Sequence, residues 1–313
     1  MSNITNAQNP FYGQYHTPHG TVPFDRIETE HYEPAILEGI KLQNAEIEAI
    51  IQNPEKADFS NTIEAFEESG ELLDKVVAVF GNMLSAETND DLQELAQKIM
   101  PLLSEHSNNI TLNEKLFARV KEVYNQKETL QLTQEQKQLL ENAYNSFVRH
   151  GANLEGEARE EYRRLTTELS KLTLTFSENN LKETNAYQML LTKKESLAGL
   201  PEIIIEAAAE TAKNEEKEGW AFTLHAPSYI PFMTYSDNRD LRQKLYMAYN
   251  TKCTHDNEFN NIDIVKKIAN TRMKIAQLLG YKDYAEYTLK KRMAENSKSV
   301  RWLSEVEIHK FLF

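Results

Sequence analysis

The chain has 313 residues, 48 acidic against 35 basic side chains and a formal net charge of −13. That balance argues against nucleic acid or an anionic membrane surface as a general partner, and no apolar run reaches the roughly 18 residues needed to span a bilayer. The one cysteine, Cys253, excludes an internal disulfide and any cysteine-based zinc ligand set.

Residues are 40% hydrophobic and 27% charged, with only 10 glycines. This composition predicts a globular, mainly α fold, to which the strand candidates below add a minor β-sheet. Met1 to Gly20 is polar, without the basic and apolar regions of a secretory signal. A cytoplasmic location is the default expectation.

In chain order, 1–26 reads as an extended N-terminal arm, rich in Pro, Gly, His and aromatics from Asn9 onward. His16 and His19 flank Pro18, which prevents a shared helical frame for a metal. A helical domain is expected over 27–183. Its first helix starts near His31-Tyr32-Glu33-Pro34, with His31 structural, and ends at Asn53-Pro54. Asn61 and Glu64 have the spacing of a cap and first-turn partner. The row Ile63, Phe66, Gly70, Leu73, Val77, Phe80 and Leu84 then predicts one buried helical stripe.

Thr88 to Asp91 caps the next helix, which Pro101 bends or breaks. Asn113 to Lys127 and Thr133 to Arg149 follow, the second opened by a Thr133/Gln136 capping box. The longest pattern runs from Glu155 to about Lys182, with Tyr162, Leu165, Leu169, Leu172 and Phe176 inward. Lone His106 and His150 read as surface residues near helix ends.

A mixed region of helices and short strands is expected over 184–300. Ala186 to Thr192 and Gly219 to Leu224 are strand candidates able to pair in a small sheet. Between them lies a helix begun by Pro201. Pro227 and Pro231 predict an aromatic loop as far as Ser236, after which Asp237 caps a charged helix. Ile262 to Leu279 is a helix closed by Gly280, and Asp283 to Met293 follows. The tail 301–313 is atypical, ending on Phe311-Leu312-Phe313. With Val300, Trp302, Leu303 and Val306, these residues are expected to form exposed apolar surface.

Several segments carry a resemblance. They are Phe59 through Val76 with its Ser69-Gly70-Glu71-Leu72-Leu73 run, Gly219 through Tyr249, and Ala276 through Tyr287. They are similar to the peptidyl-dipeptidase and oligopeptidase A group of the thimet-oligopeptidase-like zinc metallopeptidases, over roughly residues 9 to 300. The resemblance implies a neurolysin-like helical fold whose two halves enclose a channel, this chain supplying one wall. It also implies zinc and short-peptide substrates for the whole enzyme, with release of C-terminal dipeptides.

That chemistry needs an H-E-x-x-H helix: two imidazoles one turn apart hold zinc, and the glutamate is the general base. The eight histidines here are His16, His19, His31, His106, His150, His225, His255 and His309. No pair has the i, i+4 spacing. The reading is therefore an N-terminal half, cut short, with no metal, cofactor or catalytic residue of its own and inactive alone. Its expected partner is the missing catalytic half. Tyr229, Phe232, Tyr235 and Arg239 are candidates for the channel wall, with core packing of the aromatics and an Arg239 ion pair to Asp237 or Asp240 as the competing reading. Cys253 beside His255 reads as an inert thiol. The alternative function is a non-catalytic helical interaction protein derived from the same family.

Overall fold

The computed structural model describes the backbone of residues 9–312 and the side chains of residues 9–304. It is mainly α-helical with one small sheet. Two compact units are present: residues 1–171 with 271–313, and residues 172–270.

The first unit opens with three short 3₁₀ turns, Pro10–Tyr12, Pro18–Gly20 and Phe24–Arg26, where an extended arm was expected. Phe11 is buried against Tyr32, and Asn9 donates to the His31 carbonyl at 2.8 Å. Burial of one aromatic ring is worth enough to order a segment that local preference leaves extended. Helix α1 (Thr29–Gln52) follows. His31 has the structural role expected of it, its Nδ1 accepting the Glu28 N–H at 2.9 Å.

The single stripe expected from Ile63 to Leu84 is two pieces. Phe59–Glu64 is a π-helical turn, capped by Asp58 rather than Asn61. The Asp58 carboxylate accepts the Asn61 N–H at 2.7 Å, and Asn61 Oδ1 accepts the Asp58 N–H at 3.1 Å. Gly70 then stands at φ 86° and starts α2 (Glu71–Ala86) afresh. A left-handed residue cannot lie within a right-handed helix, so period alone joined what the backbone separates. Close approach of α1 to α2 depends on Gly39, where a Cβ would fall 2.9 Å from Leu73 Cα.

Helix α3 (Asp90–Thr111) is capped by Asn89 and runs through Pro101 without ending. Because it continues past His106, that residue is not at a helix end. It is buried, a correction to the surface reading; His150 is exposed as expected. Helices α4 (Glu114–Asn125) and α5 (Gln134–Arg149) complete the main core with Phe59, Ile63, Leu116, Phe117, Val120 and Phe147. Thr133 and Gln136 form the expected capping box. The early part of α6 (Gly156–Ala186) adds Tyr162 and Leu165 to a second cluster with Leu112 and Ile275; Phe176, expected inward, is exposed.

In the second unit β1 (Gln188–Leu191) pairs antiparallel with β2 (Trp220–Thr223), Gln188 opposite Thr223 and Leu191 opposite Trp220. Helix α7 (Glu202–Asn214) lies between them in sequence, with Pro201 as its cap rather than its first residue. Gly219 permits the pairing, since a Cβ there would collide with the Leu191 carbonyl oxygen. The aromatic loop expected before Ser236 is instead helix α8 (Ala226–Tyr235). Pro227 falls in its first turn, where no N–H is needed, and Pro231 removes only one ladder bond. Helix α9 (Arg239–Asn250) is capped by Asn238, whose Oδ1 accepts the Leu241 N–H at 3.1 Å; Asp237 is not the cap.

Helix α10 (Ile262–Leu278) runs from this unit into the first and is followed by Gly280 at φ 82°. Helices α11 (Tyr284–Leu289) and α12 (Ser297–Leu312) end the first unit. Helix α12 exposes Val300, Trp302 and Leu303. The side chains of Val306, Phe311, Leu312 and Phe313, expected on the same surface, lie outside the described residues, as does that of His309. Among the described residues no helix is long and apolar enough to cross a membrane.

Candidate functional site

Helices α8 and α9 carry all four wall candidates, and the fold sorts them by depth. Phe232 is fully buried, edge-on to Phe222 with ring centroids 4.6 Å apart, in a core with Met189, Leu200, Leu224 and Leu245. It presents no surface to a channel, and its role is packing. Tyr229 is half-buried and stacks on Tyr249 at 4.2 Å and 20°. Tyr235 is exposed, as is Arg239 at the first position of α9. Arg239 makes no ion pair with Asp237 or Asp240 within 4 Å.

Two further residues extend this face. Tyr246 and Tyr249 project from α9 three positions apart, and the Lys252 ammonium lies 4.5 Å from the Tyr249 ring centroid. Met247 and Ile230 are exposed on the same two helices. Their sequence signal was the Tyr246/Tyr249 spacing beside the charged residues Arg239, Asp240, Arg242 and Lys244. Burial, then the neighbouring Tyr249 and Tyr246 hydroxyls, push the Tyr229 phenol up. It stays neutral at physiological pH, a hydrogen-bonding rather than an acid–base group.

Position is fixed by three backbone devices. Asp237 N–H donates to the Ala198 carbonyl at 2.9 Å, and the Arg242 guanidinium donates to the Ser236 carbonyl. Gly199 at φ 86° lies beneath this corner, where a Cβ would collide with the Tyr235 carbonyl oxygen. At the other end of α8, Ser228 Oγ accepts the Thr223 N–H at 3.0 Å, and His225 Nε2 meets Asn185 Oδ1 at 3.0 Å.

Beyond α9 a polar loop returns to α6. Glu183 meets the His255 Nδ1 at 2.7 Å and accepts the Cys253 N–H, with Cys253 at φ 57°. The Cys253 thiol is buried, and burial followed by the Glu183 carboxylate pushes it up to about 11. A thiol so protonated is no nucleophile at neutral pH, so Cys253 and His255 form a loop fastener.

The arrangement can bind through aromatic faces, a free guanidinium and an ammonium, but it offers no activated nucleophile. Among the described residues no three His, Cys, Asp or Glu side chains are grouped to hold a metal ion. Among those described residues the donor set does not fit zinc.

The model of peptidase family M3 matches residues 232–310, from Phe232 in α8 into α12. Dipeptidyl carboxypeptidase of Escherichia coli is 35% identical over 294 residues, 94% of this chain. Oligopeptidase A of Salmonella typhimurium is 30% identical over 93% of it, and that of Escherichia coli 31% over 91%. The chain spans only 42–43% of the length of these relatives. The similarity to the dipeptidyl carboxypeptidase and oligopeptidase A group extends over nine-tenths of the chain, in keeping with the span expected from the sequence segments.

Proposed function

We propose that residues 1–313 form the N-terminal, channel-wall part of a zinc peptidase that acts on short peptides and releases C-terminal dipeptides, and that they do not hydrolyse peptides alone. The observation that carries this is the continuous similarity of nearly the whole chain to under half of each named peptidase. The ligands and general base of such chemistry would come from a further segment, which is the partner this reading requires. On the wall itself, Tyr235 and Arg239 are the peptide-facing groups. Tyr229 acts indirectly, by stacking on Tyr249 and fixing that ring.

The test uses the purified 313-residue chain with blocked tripeptides and longer peptides. The expected result is no stoichiometric zinc and no cleavage. One zinc per chain together with chelator-sensitive cleavage overturns the proposal of inactivity. Peptide binding that Tyr235→Ala and Arg239→Ala both leave unchanged overturns the wall assignment.

A further inference from the structure

A pocket of about 400 Å³ opens in the first unit among α1, α2 and α3. Its buried lining includes Leu73, Ile110, Ser69 and His106; its exposed lining includes Glu67, Asp74 and Ser107. The size is at the low end for small-molecule sites, and apolar walls with a few convergent polar groups are their usual character.

The hydrogen bonds in it fix a tautomer. Gln43 Nε2 donates to the Ser69 carbonyl at 3.3 Å, so the amide oxygen is the atom that faces His106. His106 Nε2 lies 2.6 Å from that oxygen and must donate its proton. Burial pushes the His106 imidazole down, so the ring is neutral at physiological pH and its Nδ1 carries a lone pair. No donor among the described residues reaches that nitrogen. The carboxylate of Asp74 likewise makes no ion pair and no side-chain hydrogen bond there, and burial raises it.

The titratable lining supplies acceptors, two carboxylates and one imidazole lone pair, beside the Gln43 amide and the Ser69, Ser107 and Thr111 hydroxyls, which donate as well as accept. No lysine or arginine is among the described lining residues. Such a site disfavours anions, while a cation with several N–H donors satisfies both the unpaired Asp74 carboxylate and the ring. The apolar walls call for a hydrocarbon body on that cation.

We propose that this pocket binds a small primary ammonium ion with an apolar body, the ammonium held by Asp74 with His106 Nδ1 as second acceptor, and the body against Leu73, Val77, Leu103 and Ile110. The head group can belong to a free amine or to the amino terminus of a short apolar peptide. The inference does not rest on the wall assignment, because none of these residues is among Tyr229, Tyr235 and Arg239.

Calorimetric titration of the 313-residue chain at pH 7 tests it with two amines, 2-phenylethylamine and leucyl-leucinamide. Phenylacetate and 2-phenylethanol serve as body-matched anion and neutral compound. At least one amine is expected to bind about tenfold more tightly than either control. Binding of both amines identifies the head group as what is recognised; binding of one identifies the source. Asp74→Asn should weaken binding about tenfold, and Ser107→Trp, at an exposed lining position, should block the pocket without disturbing the core. Unchanged circular dichroism would establish that both variants fold. Saturable binding by neither amine, equal binding of acid and amine, or unchanged affinity in the two folded variants overturns the proposal.

Discussion

Glu183 and His255, 72 residues apart, meet with Nδ1 and Oε1 separated by 2.7 Å, and their contact ties the α9–α10 loop to α6. The same carboxylate accepts the Cys253 N–H and is 3.5 Å from Asn257 Nδ2. Burial alone would raise the Glu183 carboxyl, but the hydrogen bonds from His255, Cys253 and Asn257 outweigh it and hold it below the usual range. A depressed carboxyl stabilises the fold above its unfolded value, about 4.3, and the contribution is lost as pH falls through the lower folded value. Glu183→Gln should cost about 1–3 kcal/mol near neutrality and flatten stability against pH below about 4.5. Urea unfolding across pH measures both, and an unchanged acid limb would count against the assignment.

The His106 imidazole, like the Glu183 carboxyl, is lowered, but here the neutral form is the one favoured, and the direction of stability is the same. Burial lowers the imidazole, so the unfolded chain takes up its proton first as pH falls. The stabilising difference is complete above the unfolded value of about 6.5 and is lost as pH drops toward the folded one. NMR titration should therefore find His106 below the ordinary imidazole range. A value at or above about 6.5 would refute the buried neutral ring.

Depth on α8 separates packing from contact. Phe232→Ala removes a fully buried ring and should cost about 3–5 kcal/mol. Tyr235→Ala and Arg239→Ala, at exposed positions, should stay within about 0.5 kcal/mol. Chemical denaturation of the three variants decides the matter; comparable losses in all three would mean that the exposed pair also packs.

Two glycines with nearly the same dihedral should respond differently to alanine. Gly199 at φ 86° faces the Tyr235 carbonyl oxygen, whereas Gly280 at φ 82° has no heavy atom within 4 Å of where a methyl group would sit. Gly280→Ala carries only the left-handed penalty of about 1–2 kcal/mol. Gly199→Ala adds a backbone clash and should cost more than about 3 kcal/mol, or prevent folding of the second unit. Hydrogen exchange in Trp220 to Thr223 is the local readout, since β2 leads directly into α8.

Much of the fold is legible one element at a time. The Thr133/Gln136 box, the Asn89 cap, the Gly280 stop and the two strands depend on residues within a few positions of one another, and local chemistry fixes them. The lack of a paired-histidine motif is equally a property of the sequence, and it shapes the functional reading by itself. Of the candidate face, Tyr229, Tyr235 and Arg239 were visible from residue type, while Tyr246, Tyr249 and Lys252 became part of it only when α8 and α9 packed together.

Long-range contacts decided the rest. Pro227 and Pro231 argue for a loop locally, yet burial of Phe232 against Phe222 makes the helix worthwhile despite one lost hydrogen bond. The apolar period from Ile63 to Leu84 runs through Gly70, but the left-handed turn there follows from Glu46 accepting the Gly70 N–H at 2.8 Å and Gln43 lying over the missing side chain. His106 carries no sequence mark of burial. Its partner is 63 residues away, and the single direction that Gln43 can point, set by the Ser69 carbonyl, is what determines which nitrogen of the ring holds the proton.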